Sequence, residues 1–299
     1  MHDTATAGSE ANARELEQHP DYMILRRIVP VQTITEPPDC QHFTATIIDA
    51  ETTGLNPADD IIQIAMVNIA YTADGTVLGA FAPVSQYNEP REPIPREITS
   101  LTGITDDMVR GHRFEPELLA EYTKNTNIAI AHNARFDRPR VESVVPSLIT
   151  KPWGCSMEQI DWKHQGFDSS QLGRIAFAYK RFFDAHNALD DVIALATILS
   201  WPLPVTGSSA LASLLENART PHVRLHAINT PFEKKDVIKA RRRYHFHPGS
   251  DAMPKSWYTI IPKASVDDET AFLEEQVYRG KGQIRTVALS PRDRFSNRE

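Results

Sequence analysis

Cysteine is nearly missing from this chain, with Cys40 and Cys155 the two in 299 residues. Two thiols so far apart exclude a disulfide framework and a cysteine-based zinc site, so both are expected to stay reduced. Long apolar runs are missing too. No stretch approaches the roughly 18 residues of a membrane span, and the opening MHDTATAGSEANARELEQHP lacks the basic-then-apolar order of a secretory signal. A cytoplasmic protein without membrane association is the expectation. Internal repeats and low-complexity blocks are also absent.

What is present describes a globular chain, with 41% hydrophobic and 24% charged residues. Its length suffices for one core of about 150 to 200 residues plus a smaller unit. The net charge of -7 is unevenly spread. Residues 231 to 299 hold 14 Lys/Arg against 10 Asp/Glu, a balance of +4, which leaves -11 for residues 1 to 230. An acidic body suits cation binding and a basic tail suits a polyanion.

Four regions are expected. Residues 1–40 form an N-terminal arm, disordered to about residue 13. Residues 41–204 form the main domain, 205–230 a linker and helix, and 231–299 a small α+β module. FTATIID and DIIQIAMVNIAY read as strands, and TADG turns into a third, TVLGAFAPVS, giving an antiparallel meander. REITSLTGITDDMV predicts two short helices broken at Gly103, with Thr105 capping the second. Helices and short strands then alternate up to NALDDVIALATILSW, so the sheet is expected to be mixed, with helices on its faces.

Chemistry enters with DAETTGL, residues 49 to 55. Residues i and i+2 of a strand point the same way, so Asp49 and Glu51 share a face about 7 Å apart. Their repulsion at the end of a buried strand calls for a cation. Alone, such a pair most often marks a solvated strand end. A third acid, Asp137, lies in the first turn of a helix after the apolar IAIAHN, where dipole complementation is its ordinary role. In HNALDD, Asn187 is the expected N-cap and Asp190 its capping-box partner, which leaves His186 on the incoming loop and Asp191 inside the helix.

Taken together, DAETTGL at 49–55, HNARFD at 132–137 and HNALDD at 186–191 resemble, in order and spacing, the DEDDh 3′-5′ exonucleases, relatives of the proofreading subunit of bacterial replicative polymerase. The resemblance covers about residues 43 to 201. It implies an α/β fold, a ribonuclease H-like mixed sheet with antiparallel strands 1–3 followed by parallel ones. It also implies that Asp49, Glu51, Asp137 and Asp191 hold two divalent cations, Mg²⁺ or Mn²⁺, with His186 as general base. Hard cations prefer such carboxylate oxygens, and two of them suit in-line phosphoryl displacement. By the same resemblance, Thr52, Leu55, Asn133 and Phe136 contact the substrate. Leu55 wedges against the terminal base, Phe136 offers a stacking face, and His132 and Asn133 orient the loop presenting Asp137. Arg135, Arg138 and Arg140 are candidates to meet phosphate.

The expected activity is metal-dependent hydrolysis at 3′ ends of nucleic acid, DNA ahead of RNA, in repair or scavenging of single-stranded ends. A non-catalytic docking module is the reading from another class. In the tail, Arg241, Arg242, Arg243, Tyr244, His245, Phe246, His247, Trp257 and Tyr258 interleave cations and rings, as a stacking platform for single-stranded nucleic acid does. A small core built on Phe246, Trp257, Phe272 and Leu273 is the plainer reading of the same stretch.

Overall fold

A computed structural model describes residues 3–241, 244–251 and 253–296. Arg242 and Arg243 of the expected platform lie outside the described residues. The chain gathers into two compact units, one built from the chain up to Asn217 together with the tail from Phe295, the other from Ala218–Arg294. Among the described residues no helix is long and apolar enough to cross a membrane.

The first unit runs α1 (Asp3–Glu17), β1 (Arg26–Arg27), β2 (Phe43–Thr52), β3 (Ile61–Tyr71), β4 (Val77–Ala80), β5 (Val84–Tyr87), α2 (Arg96–Thr102), α3 (Asp106–Val109) and α4 (Pro116–Tyr122). It continues through β6 (Ile128–Ala131), α5 (Ala134–Val144), β7 (Trp153–Cys155), α6 (Ser156–Gln159), α7 (Leu172–Ala178), β8 (Arg181–Phe182), α8 (Ala188–Ser200) and α9 (Ala210–Arg219). Its main sheet has the order β4-β3-β2-β6-β7, with β5 also on β3. β2, β3, β4 and β5 are antiparallel, while β6 and β7 run parallel to β2. This is the mixed, ribonuclease H-like arrangement that the sequence predicts.

The core strands read as almost unbroken apolar runs because both faces are covered. On one face Ile48, Ile64 and Met66 pack with Leu119 of α4 and Val141 of α5. On the other, α8 crosses β2 and β3. The expected third strand is split at Ala82-Pro83, since proline cannot donate to a ladder. Gly103 ends α2 in the left-handed region, and Thr105 accepts the Met108 N–H at 3.4 Å to start α3.

The N-terminal run expected to be disordered is instead a helix from Asp3 onward. Alanines favour it, a Glu10–Arg14 pair supports it at i,i+4, and Arg26 binds both Glu10 and Glu17.

The second unit comprises β9 (His222–Ile228), α10 (Lys235–Arg241), β10 (His245–His247), β11 (Ser256–Pro262), α11 (Val266–Phe272) and β12 (Gln283–Leu289). The sheet order is β10-β11-β9-β12, antiparallel throughout, a split β-α-β arrangement. Val223, Leu225 and Ala227 of β9 pack against Ile238 of α10 and against Leu273 and Val277 after α11. The central strand β9 falls where a linker is expected. Its polar His222, Arg224 and His226 alternate with buried apolar residues, a period-2 pattern that three polar side chains disguise as loop.

Gly75 joins β3 to β4 at φ +86°, and a Cβ there would meet the Ala212 backbone of α9 at 2.5 Å. Gly103 is equally left-handed with open space around it. Gly103→Ala is therefore expected to cost about 1 kcal/mol, from conformation alone. Gly75→Ala adds the clash and should cost clearly more, read as a larger drop in the urea midpoint.

Candidate active site

Three elements converge at the carboxyl ends of β2 and β6, where open α/β sheets form their crevices. In β2, Asp49 lies opposite Ala65 and Glu51 opposite Gln63, and a bulge follows at Glu51/Thr52. Gln63 is buried on the same face as Glu51. Its Oε1 accepts the Ala188 N–H at 3.2 Å, tying β3 to the first turn of α8. Both strand acids thus project toward the start of α8.

There Asn187 is the N-cap, as expected, its side chain accepting the Leu189 N–H at 3.1 Å. The expected capping partner differs. His186 adopts a left-handed conformation, φ +67°, which swings its backbone N–H over the first turn, where Asp191 Oδ2 accepts it at 2.8 Å. The carboxylate reaching back is therefore that of Asp191, while Asp190 is exposed. His186 and Asp191 are locked together by this bond.

After β6, α5 begins at Ala134 and buries Asp137 in its first turn. The loop before it is set by His132, whose ring bonds Ser156 Oγ at 2.8 Å and the Ser170 carbonyl at 2.7 Å. Burial pushes this imidazole down to about 4. In its neutral form Nε2–H donates to the Ser170 carbonyl, so Nδ1 accepts from Ser156.

Asp49, Glu51, Thr52, Leu55, Asn133, Phe136, Asp137, His186 and Asp191 all line one cleft of about 360 Å³. Carboxylate oxygens of Asp49, Glu51 and Asp191 lie within 4.8 Å of one another. Asp137 borders the cleft behind them. Leu55 is 84% exposed at the rim, whereas Thr52 is buried and its hydroxyl donates to the Gly54 carbonyl at 2.6 Å. Ile98, Leu101, Thr102 and Leu172 complete the wall. They come from short helices with no motif, so no spacing marks them in the sequence.

The three arginines do not face the cleft as phosphate binders. Arg138 is fully buried against Glu142 at 2.6 Å, and Arg135 pairs with Glu158 at 3.0 Å. Arg140 stacks 3.7 Å above the Phe136 ring and donates to the Leu55 and Asn56 carbonyls at 3.1 and 3.0 Å. It covers one face of that ring and clamps the loop after β2, a positioning role that sequence reasoning missed.

The electrostatics follow from this crowding. Burial, and then repulsion from Asp137, Asp191 and Glu51, drives the Asp49 carboxyl well above its usual range. Burial raises Glu51 to about 7 and Asp191 to about 6, with the His186 N–H pulling Asp191 back. Burial also pushes Asp137 to about 8, against a hydrogen bond from the Ala50 N–H and the Arg140 charge. Such all-oxygen donors, short of positive charge, fit a hard divalent cation.

A family model described as Exonuclease, of the RNase T type, matches residues 46–199, just over half of the chain. The chain belongs to this exonuclease family. The matched span of the exonuclease domain contains all nine lining residues named from the sequence. It is similar to the PolC-type DNA polymerase III of Thermotoga petrophila, 27% identical over 174 residues, covering 53% of this chain and 12% of that protein. The counterpart in Staphylococcus saprophyticus is 33% identical over 138 residues, covering 44% and 9%. The chain thus spans about a tenth of the length of these curated relatives. Among solved structures, E. coli exonuclease I in complex with a dA16 oligonucleotide is 20% identical, covers 61% of this chain and 48% of that one, and has a TM-score of 0.42.

A carboxyl whose native pKa lies above its unfolded value loses stability as pH rises through the interval between them. His132, shifted downward, acts oppositely, but its contribution is complete by about pH 6.5. The exonuclease in EDTA should therefore lose melting temperature from pH 6.5 to 8.5, and Mn²⁺ should restore it. Asp49→Asn should flatten the pH profile and remove most of the Mn²⁺ increment. Parallel wild-type and variant profiles would contradict the electrostatic assignment.

Proposed function

We propose that this exonuclease removes nucleotides from the 3′ ends of DNA by metal-dependent phosphodiester hydrolysis. The observation that carries this reading is the convergence of Asp49, Glu51 and Asp191 within 4.8 Å in a cleft that also holds Asp137 and His186. Asp49, Glu51, Asp137 and Asp191 would hold two Mg²⁺ or Mn²⁺ ions, four negative charges against four positive. When bound, such ions neutralise phosphate charge and make water nucleophilic near neutral pH.

The protein's own residues supply the rest. His186 acts as general base: it is exposed, so a proton it accepts passes on to solvent, and its bond to Asp191 keeps it beside the acids. Leu55 at the rim and the uncovered face of Phe136 bracket the terminal base. Thr52 and Asn133 shape the ends of the two loops that contact it. Polarity follows the resemblance to the DEDDh exonucleases. DNA is favoured over RNA because the curated relatives are DNA polymerases by name.

Purified protein, 5′-labelled single-stranded DNA, primer-template DNA and single-stranded RNA provide the test. A ladder shortening from the 3′ end is expected with Mg²⁺ or Mn²⁺ and not with EDTA. Asp49→Asn should abolish it. His186→Ala should lower kcat by about 100-fold or more and leave the Mn²⁺ stabilisation of the fold intact. No metal-dependent shortening on any substrate would leave the docking-module reading in front.

A further inference from the structure

Among the described residues, the helices of the second unit pack on one face of its sheet. Strand alternation assigns Val223, Leu225, Ala227 and Ile261 to the face under α10 and α11 and turns Arg224, His226, Tyr258, His245 and Arg285 to the other. The register then places His245, Tyr258, His226 and Arg285 directly opposite one another on successive strands, a single row across all four. In that row the His245 ring stacks on Tyr258 at 5.4 Å, and His226 follows at 5.5 Å. Arg224 lies 5.3 Å from the Tyr258 ring on the far side of the row.

The acids of this unit avoid the strands, while cations occur in both strands and helices. Residues 218 to 294 carry 15 Lys/Arg against 9 Asp/Glu, and none of the nine acids lies in a strand. Seven of them fall between Glu233 and Asp236 or between Asp267 and Glu275, in the helical segments covering the opposite face, where Asp268 and Glu269 pair with Arg241. The remaining two, Asp251 and Asp293, lie in a turn and in the tail. Among the described residues the strands give this face two cations, half-buried Arg224 and exposed Arg285, beside the half-buried rings of His245 and Tyr258 over a buried His226, and no strand residue on it is a carboxylate. A polyanion with flat bases is the ligand this combination suits, because every base has a stackable face and the arginines answer the phosphates.

We propose that this sheet face binds single-stranded nucleic acid, with a base stacked on the Tyr258–His245 pair and the backbone running past Arg224 and Arg285. The site differs from the platform expected from the sequence. Phe246 and Trp257 point to the opposite side of the sheet, and Tyr244 is buried with its hydroxyl on Glu269 at 2.9 Å. The inference does not depend on catalysis.

Fluorescence anisotropy in EDTA tests it, using the full chain with Asp49→Asn and labelled dT20, rU20 and a 20-base-pair blunt duplex. Tyr258→Ala and, separately, Arg285→Gln should each weaken binding of a single strand by about tenfold. Tyr258→Phe should bind like the parent, and the duplex should be unaffected by all three. Arg285 is exposed on an edge strand, so its variant reads binding without burdening the fold. The larger loss, on dT20 or on rU20, names the preferred sugar. Unchanged single-strand affinity in both loss variants, or an equal loss on the duplex, overturns the proposal. Because cleavage is never read, a failed nuclease assay leaves this result interpretable.

Discussion

The first unit is organised around an electrostatic conflict: several carboxylates held together at the end of a buried sheet, flanked among the described residues by the charge of Arg140. Asp49, Glu51 and Asp191 approach within 4.8 Å, with Asp137 buried behind. Each would relax if the loops opened. That they are held together means the surrounding packing, not the acids, sets their positions.

The restraints are identifiable. β2 fixes two acids to one face by alternation alone. Gln63 ties β3 to α8, and the bond from the His186 N–H to Asp191 fixes the incoming loop to the helix it starts. His132, bonded at both ring nitrogens, anchors the turn before α5. Arg140 bridges α5 to the loop after β2. These polar ties run from buried, at Gln63, to exposed, at His186 and Arg140, so a site costly in charge terms is held largely by groups outside the acid cluster, Gln63, His132 and Arg140. A cation added to such a site gains the attraction of carboxylates already paired in space.

Much of this was legible in the sequence because it obeys short-range periodicity. Asp49 and Glu51 share a face by strand parity, and Asn187 caps a helix by residue type. The clamping roles were not legible. Nothing in ARFDRPR says that Arg138 turns inward to Glu142 while Arg140 stacks on Phe136, since that depends on how α5 rotates against β2. Strand β9 hid for a related reason: alternate positions are filled by the polar His222, Arg224 and His226, two of them buried, which by composition read as loop. The helix at Asp3–Glu17 was missed because the residues that hold its end, Arg26 among them, lie beyond the local window.

The central claim is that the acids at the start of α8 and the end of β2 are a cation site, and anomalous scattering from crystals grown with Mn²⁺ addresses it directly. The account predicts a manganese peak about 2.1 Å from carboxylate oxygens of Asp49, Glu51 and Asp191, with a second ion adjoining Asp137's side of the cleft once nucleotide is bound. Crystals showing no manganese there, with the carboxylates in the same positions, would contradict it.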